Sequence, residues 1–300
     1  MQRQPERILQ RLEWTVIRRL DGLLQGDYRT LFRGFGLDLA DLREYQYGDD
    51  VRHIDWNVTA RLDTPYVREY HEDRDLSCWF LLDLSGSVRF GSQVEKTSVS
   101  AEFVTILARL LTRHGNRVGA LFYGNDVEGF IPARSGRRQV LHILHRMIAP
   151  EAQRGRETDL RELLDAAGRF ITRRSLVFIV SDFISAPGWQ KPLAQLARRH
   201  EVVAVRVHDA LEAELPDLGL VVMQDAETGE QLFVDTHDRG FRKRFREAAS
   251  QREATLREGL AAAGVDALEL ATGDDLAESI LRFASLRKRR GTSHGARKAA

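Results

Sequence analysis

Leu76-Ser77-Cys78-Trp79-Phe80-Leu81-Leu82-Asp83-Leu84-Ser85-Gly86-Ser87 is a short apolar run that stops in a carboxylate, two hydroxyls and a glycine. The run Leu76 to Leu82 reads as a buried strand, and the polar residues after it as the loop at its carboxyl end. Downstream, Val99, Phe103, Ile106 and Leu110 trace one helix face, and Arg117 to Tyr123 reads as the next strand. A Gly124-Asn125-Asp126 turn then leads into Val127 to Ile131, which predicts a hairpin. Helices follow over Arg137 to Ile148 and about Asp159 to Thr172, then an apolar strand from Ser175 to Val180 that Ser181-Asp182 stops. A helix from Pro187 to Arg199 and a strand from Glu201 to Val207 come next. A second hairpin pairs Leu220 to Met223 with Gln231 to Val234 across Asp225 to Gly229. Helices over Thr236 to Ala263 and Asp274 to Arg287 flank a last apolar run at Val265 to Leu270. Short apolar runs alternating with helical periods predict an α/β fold with a mostly parallel central sheet.

Upstream, Ile8, Leu12, Ile17, Leu20 and Leu24 recur at three- to five-residue spacings, an amphipathic helix with a basic outer face that Gly26 ends. From Gln25 to Asp75 the chain is rich in charge and aromatic residues and has no sustained period, so an irregular segment with short strands is expected. The end, Lys288 to Ala300, is basic and expected to be disordered. The 300 residues carry 45 Lys+Arg against 44 Asp+Glu, a formal charge of +1, which gives no bulk case for nucleic-acid binding. One cysteine, Cys78, excludes a disulfide framework within the chain and makes a reducing cytoplasm the expectation. No apolar stretch reaches the roughly 18 to 20 residues of a membrane span, and Met1 to Arg19 has no secretory apolar run.

In open parallel sheets ligands sit at the carboxyl ends of the strands. Asp83, Ser85 and Ser87 supply a carboxylate and two hydroxyls at alternate positions, hard oxygen donors of the kind Mg²⁺ takes. Thr158, before the 159–172 helix, and Asp182, directly after the 175–180 strand, fall at the same edge. A plainer reading makes Asp83, Ser85 and Ser87 turn caps and Thr158 a helix N-cap, with Asp182 capping a turn of its own. The constellation resembles the metal-ion-dependent adhesion site of von Willebrand factor A-type domains, Asp-x-Ser-x-Ser with a remote Thr and Asp, over about Leu76 to Leu286. That resemblance implies a Rossmann-like A-type domain and a Mg²⁺ or Mn²⁺ ion. Ser85, Ser87 and Thr158 would hold it through hydroxyls, and Asp83 and Asp182 directly or through water. Such a set leaves the ion under-neutralised and able to take a partner's carboxylate. A departure is Phe183 after Asp182, where many A domains have glycine.

A second resemblance rests on Leu42-Arg43-Glu44-Tyr45-Gln46-Tyr47-Gly48-Asp49-Asp50-Val51-Arg52-His53-Ile54-Asp55-Trp56, continuing through Thr59-Ala60-Arg61 to Val67-Arg68-Glu69-Tyr70. It is similar to the signature of the domain of unknown function 58 family, bacterial proteins that join this segment to an A-type domain. The family often accompanies MoxR-type AAA+ ATPases and is thought to act with them in chaperone-like maturation or assembly. Physically, Arg43, Arg52, Arg61 and Arg68 stand among Glu44, Asp49, Asp50, Asp55 and Glu69, with Trp56 and tyrosines available to pack. Buried Arg–carboxylate pairs would lock the segment onto the domain, and a partner-recognition surface is the alternative.

Rival chemistries lack a motif. A hydrolase using Asp83, Ser85 and Asp182 has no Gly-x-Ser-x-Gly elbow, and no nucleotide-binding glycine loop is present. His142 and His145 share a helix face without a neighbouring acid pair. The expectation is therefore a non-enzymatic, metal-dependent interaction protein, with a metal-dependent hydrolase as the alternative. Its parts are a signature segment over 1–75, an A-type domain over 76–287 and a tail over 288–300. Its expected partner is a MoxR-type ATPase or a client protein held through a metal-bound carboxylate.

Overall fold

Proline at the first helical position opens α1 (Pro5–Leu12), which runs through a π-helical turn (Glu13–Ile17) into α2 (Arg18–Leu23). The π-turn has a reason in the sequence. Leu9 and Leu12 are three apart, Ile17 and Leu20 are three apart, but Leu12 and Ile17 are five apart, and the wider turn absorbs the extra residue so that all four stay buried on one stripe. The computed structural model describes residues 4–23, 42–46, 51, 54, 56–62, 64–68, 77–92, 94–124, 126–149, 158–224 and 229–297.

Within the signature segment, β1 (Leu42–Glu44) and β2 (Tyr66–Arg68) pair antiparallel, with α3 (Trp56–Leu62) between them. Val67 is buried, whereas Trp56 is 69% exposed, contrary to the packing role expected of it. The tryptophan opens a seven-residue helix whose outer face it occupies. Asp49, Asp50, Arg52, Asp55, Glu69 and the expected domain boundary near Asp75 lie outside the described residues.

The main sheet is built from β3 (Ser77–Asp83), β4 (Arg117–Tyr123), β5 (Val127–Arg134), β6 (Leu176–Ser181), β7 (Glu201–His208) and β10 (Asp266–Ala271), in the order β10-β7-β6-β3-β4-β5. All pairings are parallel except β4 with β5, the expected hairpin. The alternation of β3 divides the core. Cys78, Phe80 and Leu82 face a layer containing α1, α2, α4 (Lys96–Arg113), α5 (Arg137–Met147) and the apolar face of the last helix. Trp79 and Leu81 face α6 (Leu160–Phe170) and α7 (Gln190–Arg199). Helices on both faces explain why the inner strands β3, β6 and β7 read as nearly continuous apolar runs.

The second hairpin, β8 (Leu220–Gln224) with β9 (Gln231–Asp235), forms its own two-stranded sheet. It is followed by α8 (Arg239–Ala263), which Gly264 ends in the left-handed conformation. The final helix, α9 (Leu276–Arg297), continues ten residues past Arg287, so the described part of the expected tail, 288–297, is helical. Lys288-Arg289-Arg290 are good helix formers, and the helix runs on through Gly291 and Gly295. No helix among the described residues is long and apolar enough to cross a membrane.

Candidate functional site at the strand switch point

Strand β3 has β4 on one side and β6 on the other, so the chain reverses direction of travel across the sheet at the β3–β6 pair. This is the place where loops splay apart and leave a crevice at the carboxyl edge. Asp83 is the last residue of β3 and Ser181 the last of β6, so the parallel register sets them side by side. Ser181 Oγ donates to Asp83 Oδ2 at 2.6 Å, and the Ser85 backbone N–H donates to Asp83 Oδ1 at 3.0 Å. Ser85 Oγ and Ser87 Oγ are 3.2 Å apart, and all three side chains are buried. The Asx-type bond from Ser85 shows that part of the capping alternative holds. It does not account for the buried hydroxyl pair.

Asp182 follows Ser181 and is also buried, its Oδ1 accepting from the Ile184 N–H at 2.9 Å. Burial and then the nearby charge of Asp182 push the Asp83 carboxyl up to about 6, against the smaller opposing effect of the Ser181 and Ser85 hydrogen bonds. Phe183 takes a φ of 60°, the left-handed conformation that glycine adopts without steric cost. The phenylalanine holds it because its ring is nearly buried and meets Trp189 edge-on, 5.8 Å between centroids.

Thr158 is brought to the same edge. Its carbonyl accepts from the Ala186 N–H at 2.8 Å, Leu160 N–H donates to Ser185 Oγ at 3.0 Å, and Asp159 N–H donates to the Tyr123 hydroxyl at 2.9 Å. The loop before α6 is thus tied to both the β6 loop and the end of β4. Asp159, not Thr158, caps α6, through a bond from Arg161 N–H, so the capping role considered for Thr158 belongs to its neighbour. His142 and His145 are exposed on α5.

Lys96 was not a candidate from sequence. It opens α4 fully buried, and its ammonium donates to Asp182 Oδ2 at 2.7 Å and to Glu212. Burial alone would lower its pKa, but the two carboxylates outweigh that and raise it, so the side chain is an ammonium. Glu212 sits in a short turn that Asp209 anchors. Asp209 accepts from Ser92 N–H at 2.9 Å, Ser92 Oγ at 2.8 Å, Leu211 N–H at 2.9 Å and Thr272 Oγ1 at 2.7 Å. Burial would raise its pKa, yet these bonds hold it at about 2. Because the folded value is depressed, the carboxylate stabilises the fold above about pH 4, by roughly 2 kcal/mol, and the benefit is lost as pH falls toward about 2. Asp209→Asn should therefore lower the urea midpoint at about pH 6, and the gap from wild type should close on acidification; a gap constant with pH would contradict this.

Among the described residues no group of three or more His, Cys, Asp or Glu side chains stands within reach of one metal ion. Any ion here relies on hydroxyl oxygens. The donors are hard oxygens of the kind a hard cation takes: the Asp83 carboxylate with the Ser181 hydroxyl on it, the paired Ser85 and Ser87 hydroxyls, and the Asp182 carboxylate.

A family model described as protein of unknown function DUF58 matches residues 41–255. Uncharacterized proteins of Mycobacterium bovis and Mycobacterium tuberculosis are each 39% identical over 286 residues, covering 94% of this chain and 89% of the relative. Among solved structures, an aerotolerance-related membrane protein from Bacteroides fragilis aligns with a TM-score of 0.49 at 13% identity, covering 71% of this chain and 99% of that one.

Proposed function

Since this chain belongs to the DUF58 family, we propose a function from the strand-end cluster itself: a non-enzymatic interaction protein with an A-type domain that grips partners through a Mg²⁺ or Mn²⁺ ion. The observation that carries this reading is the buried set at the switch point, where Asp83 is bonded to Ser181 and Ser85, Ser87 lies beside Ser85, and Asp182 is next in sequence to Ser181. Ser85, Ser87 and Thr158 would hold the ion through hydroxyls, and Asp83 and Asp182 directly or through water. When bound, the ion supplies an electrophilic centre for an anionic oxygen. The chain's own residues do the rest: Ser181 fixes the Asp83 carboxylate, Tyr123 and Ala186 hold the Thr158 loop, and Phe183 sets the exit of the Asp182 loop. Burial keeps the hydroxyls from competing water.

The partner on this reading is a carboxylate-bearing protein, either a MoxR-type AAA+ ATPase, as the family resemblance suggests, or a client that it acts on, in the cytoplasm. Ser85 Oγ has a second serine beside it, an arrangement for ligation more than for nucleophilic attack. Mn²⁺ titration by calorimetry is expected to give one site per chain that Asp83→Ala abolishes with the fold retained. Equal affinity in wild type and variant would refute the site. Surface-plasmon binding to the purified ATPase should weaken in EDTA and in Ser87→Ala; binding indifferent to both would refute the carboxylate bridge.

A further inference from the structure

The two carboxylates at the switch point are not treated alike. Asp182 carries an internal counter-charge, with its Oδ2 2.7 Å from Lys96 Nζ, whereas both oxygens of Asp83 meet neutral donors. A lysine at the first position of a helix faces the positive end of the helix dipole, and at 0% exposure it has given up its hydration as well. Nothing about α4 favours a cation there. The anions around it do, and they come from two remote segments, Asp182 after β6 and Glu212 in the turn after β7. The Glu212 turn is itself secured by four hydrogen bonds on Asp209, which join it to Ser92 and Thr272.

We propose that Lys96 is the built-in counter-cation of this site: it holds Asp182 in place without a divalent ion, and by sharing Asp182 with that ion it sets how tightly the ion binds. Glu212 tunes the effect by drawing part of the ammonium's charge away from Asp182. This inference rests on the proposed divalent site and adds what controls its affinity. A unit charge within several ångströms of a bound cation, in a medium of effective dielectric constant about 20, changes affinity by roughly tenfold or more.

The two residues should act in opposite directions, which separates the effect from simple damage. Lys96→Met keeps an unbranched stem of nearly the same reach and removes the charge. Mn²⁺ should then bind at least about tenfold more tightly than to wild type, and the melting temperature, lowered in EDTA, should recover when Mn²⁺ is added. Glu212→Gln leaves the ammonium wholly on Asp182, and Mn²⁺ should bind several-fold more weakly. Calorimetric titration of the full chain with Mn²⁺ alone reads both. Equal or weaker binding by folded Lys96→Met overturns the inference while leaving the metal site standing. Should that variant fail to fold, Glu212→Gln decides, and unchanged or tighter binding there overturns it. If wild type takes up no Mn²⁺ but Lys96→Met does, Lys96 is confirmed as the resident cation and the divalent reading of the wild type falls. If neither binds, both fall.

Discussion

A chain begun after Leu23 is expected to melt more than about 10 °C below the whole protein, or to lose its cooperative transition. The reason is the stripe Leu9, Leu12, Ile17 and Leu20, all between 0% and 2% exposed and part of the same core as Phe80 and Phe103. Each buried side chain of this size contributes about 1.5–3 kcal/mol. Together they are comparable to the roughly 5–15 kcal/mol by which a domain is stable. The surrounding ion pairs matter less. Arg109 Nε lies 2.6 Å from Glu13 Oε1 and Arg113 Nη1 3.0 Å from Asp21 Oδ2, but both pairs are partly exposed, and Glu13→Gln should cost about 1 kcal/mol or less. Scanning calorimetry of the truncated chain checks this. A melting temperature within about 2 °C of the whole protein would show that the helix only decorates the surface.

Gly119→Ala should cost about 1–3 kcal/mol, large for a single methyl group. Gly119 lies in β4 opposite Trp79 of β3, and a Cβ there would come within 2.6 Å of the indole ring. The indole has nowhere easy to go, since it stacks on Phe130 at 5.2 Å between centroids and Phe130 stacks on Phe170 at 5.0 Å. Glycine inside a strand often marks such a close approach. Trp79→Leu removes the obstacle, so the double variant should lose clearly less stability than the two single losses predict, with a coupling of about 1 kcal/mol or more. Denaturant unfolding of the four proteins measures it, and strict additivity would disprove the contact.

The architecture was legible because its signals are local. The inner strands β3, β4, β6 and β7 are largely apolar runs, and helical periods lie between most of them. Asp83 and Asp182 were legible for the same reason: a carboxylate directly after a buried strand has few places to be. Lys96 and Glu212 were not, because their meaning lies in a contact across 86 and 116 residues that no spacing encodes. A lysine at a helix start reads as a solvated charge until the fold encloses it. Trp56 misled in the opposite direction, since its size predicts burial while its helix turns it outward. Ser181 could have been found, because the residue before a strand-end carboxylate lies in register with the end of the neighbouring strand.

The π-turn over Glu13–Ile17 lets the first helix carry one residue more than its buried stripe requires. Counted without that residue, Leu9, Leu12, Ile17 and Leu20 fall at steps of three, four and three, the spacing of a plain α-helix. The length of the chain at this point is therefore uncoupled from the core it serves: a helix one residue shorter would present the same four side chains to the same layer. What is held constant here is the face that meets the sheet layer, and the number of residues used to build it is free to drift.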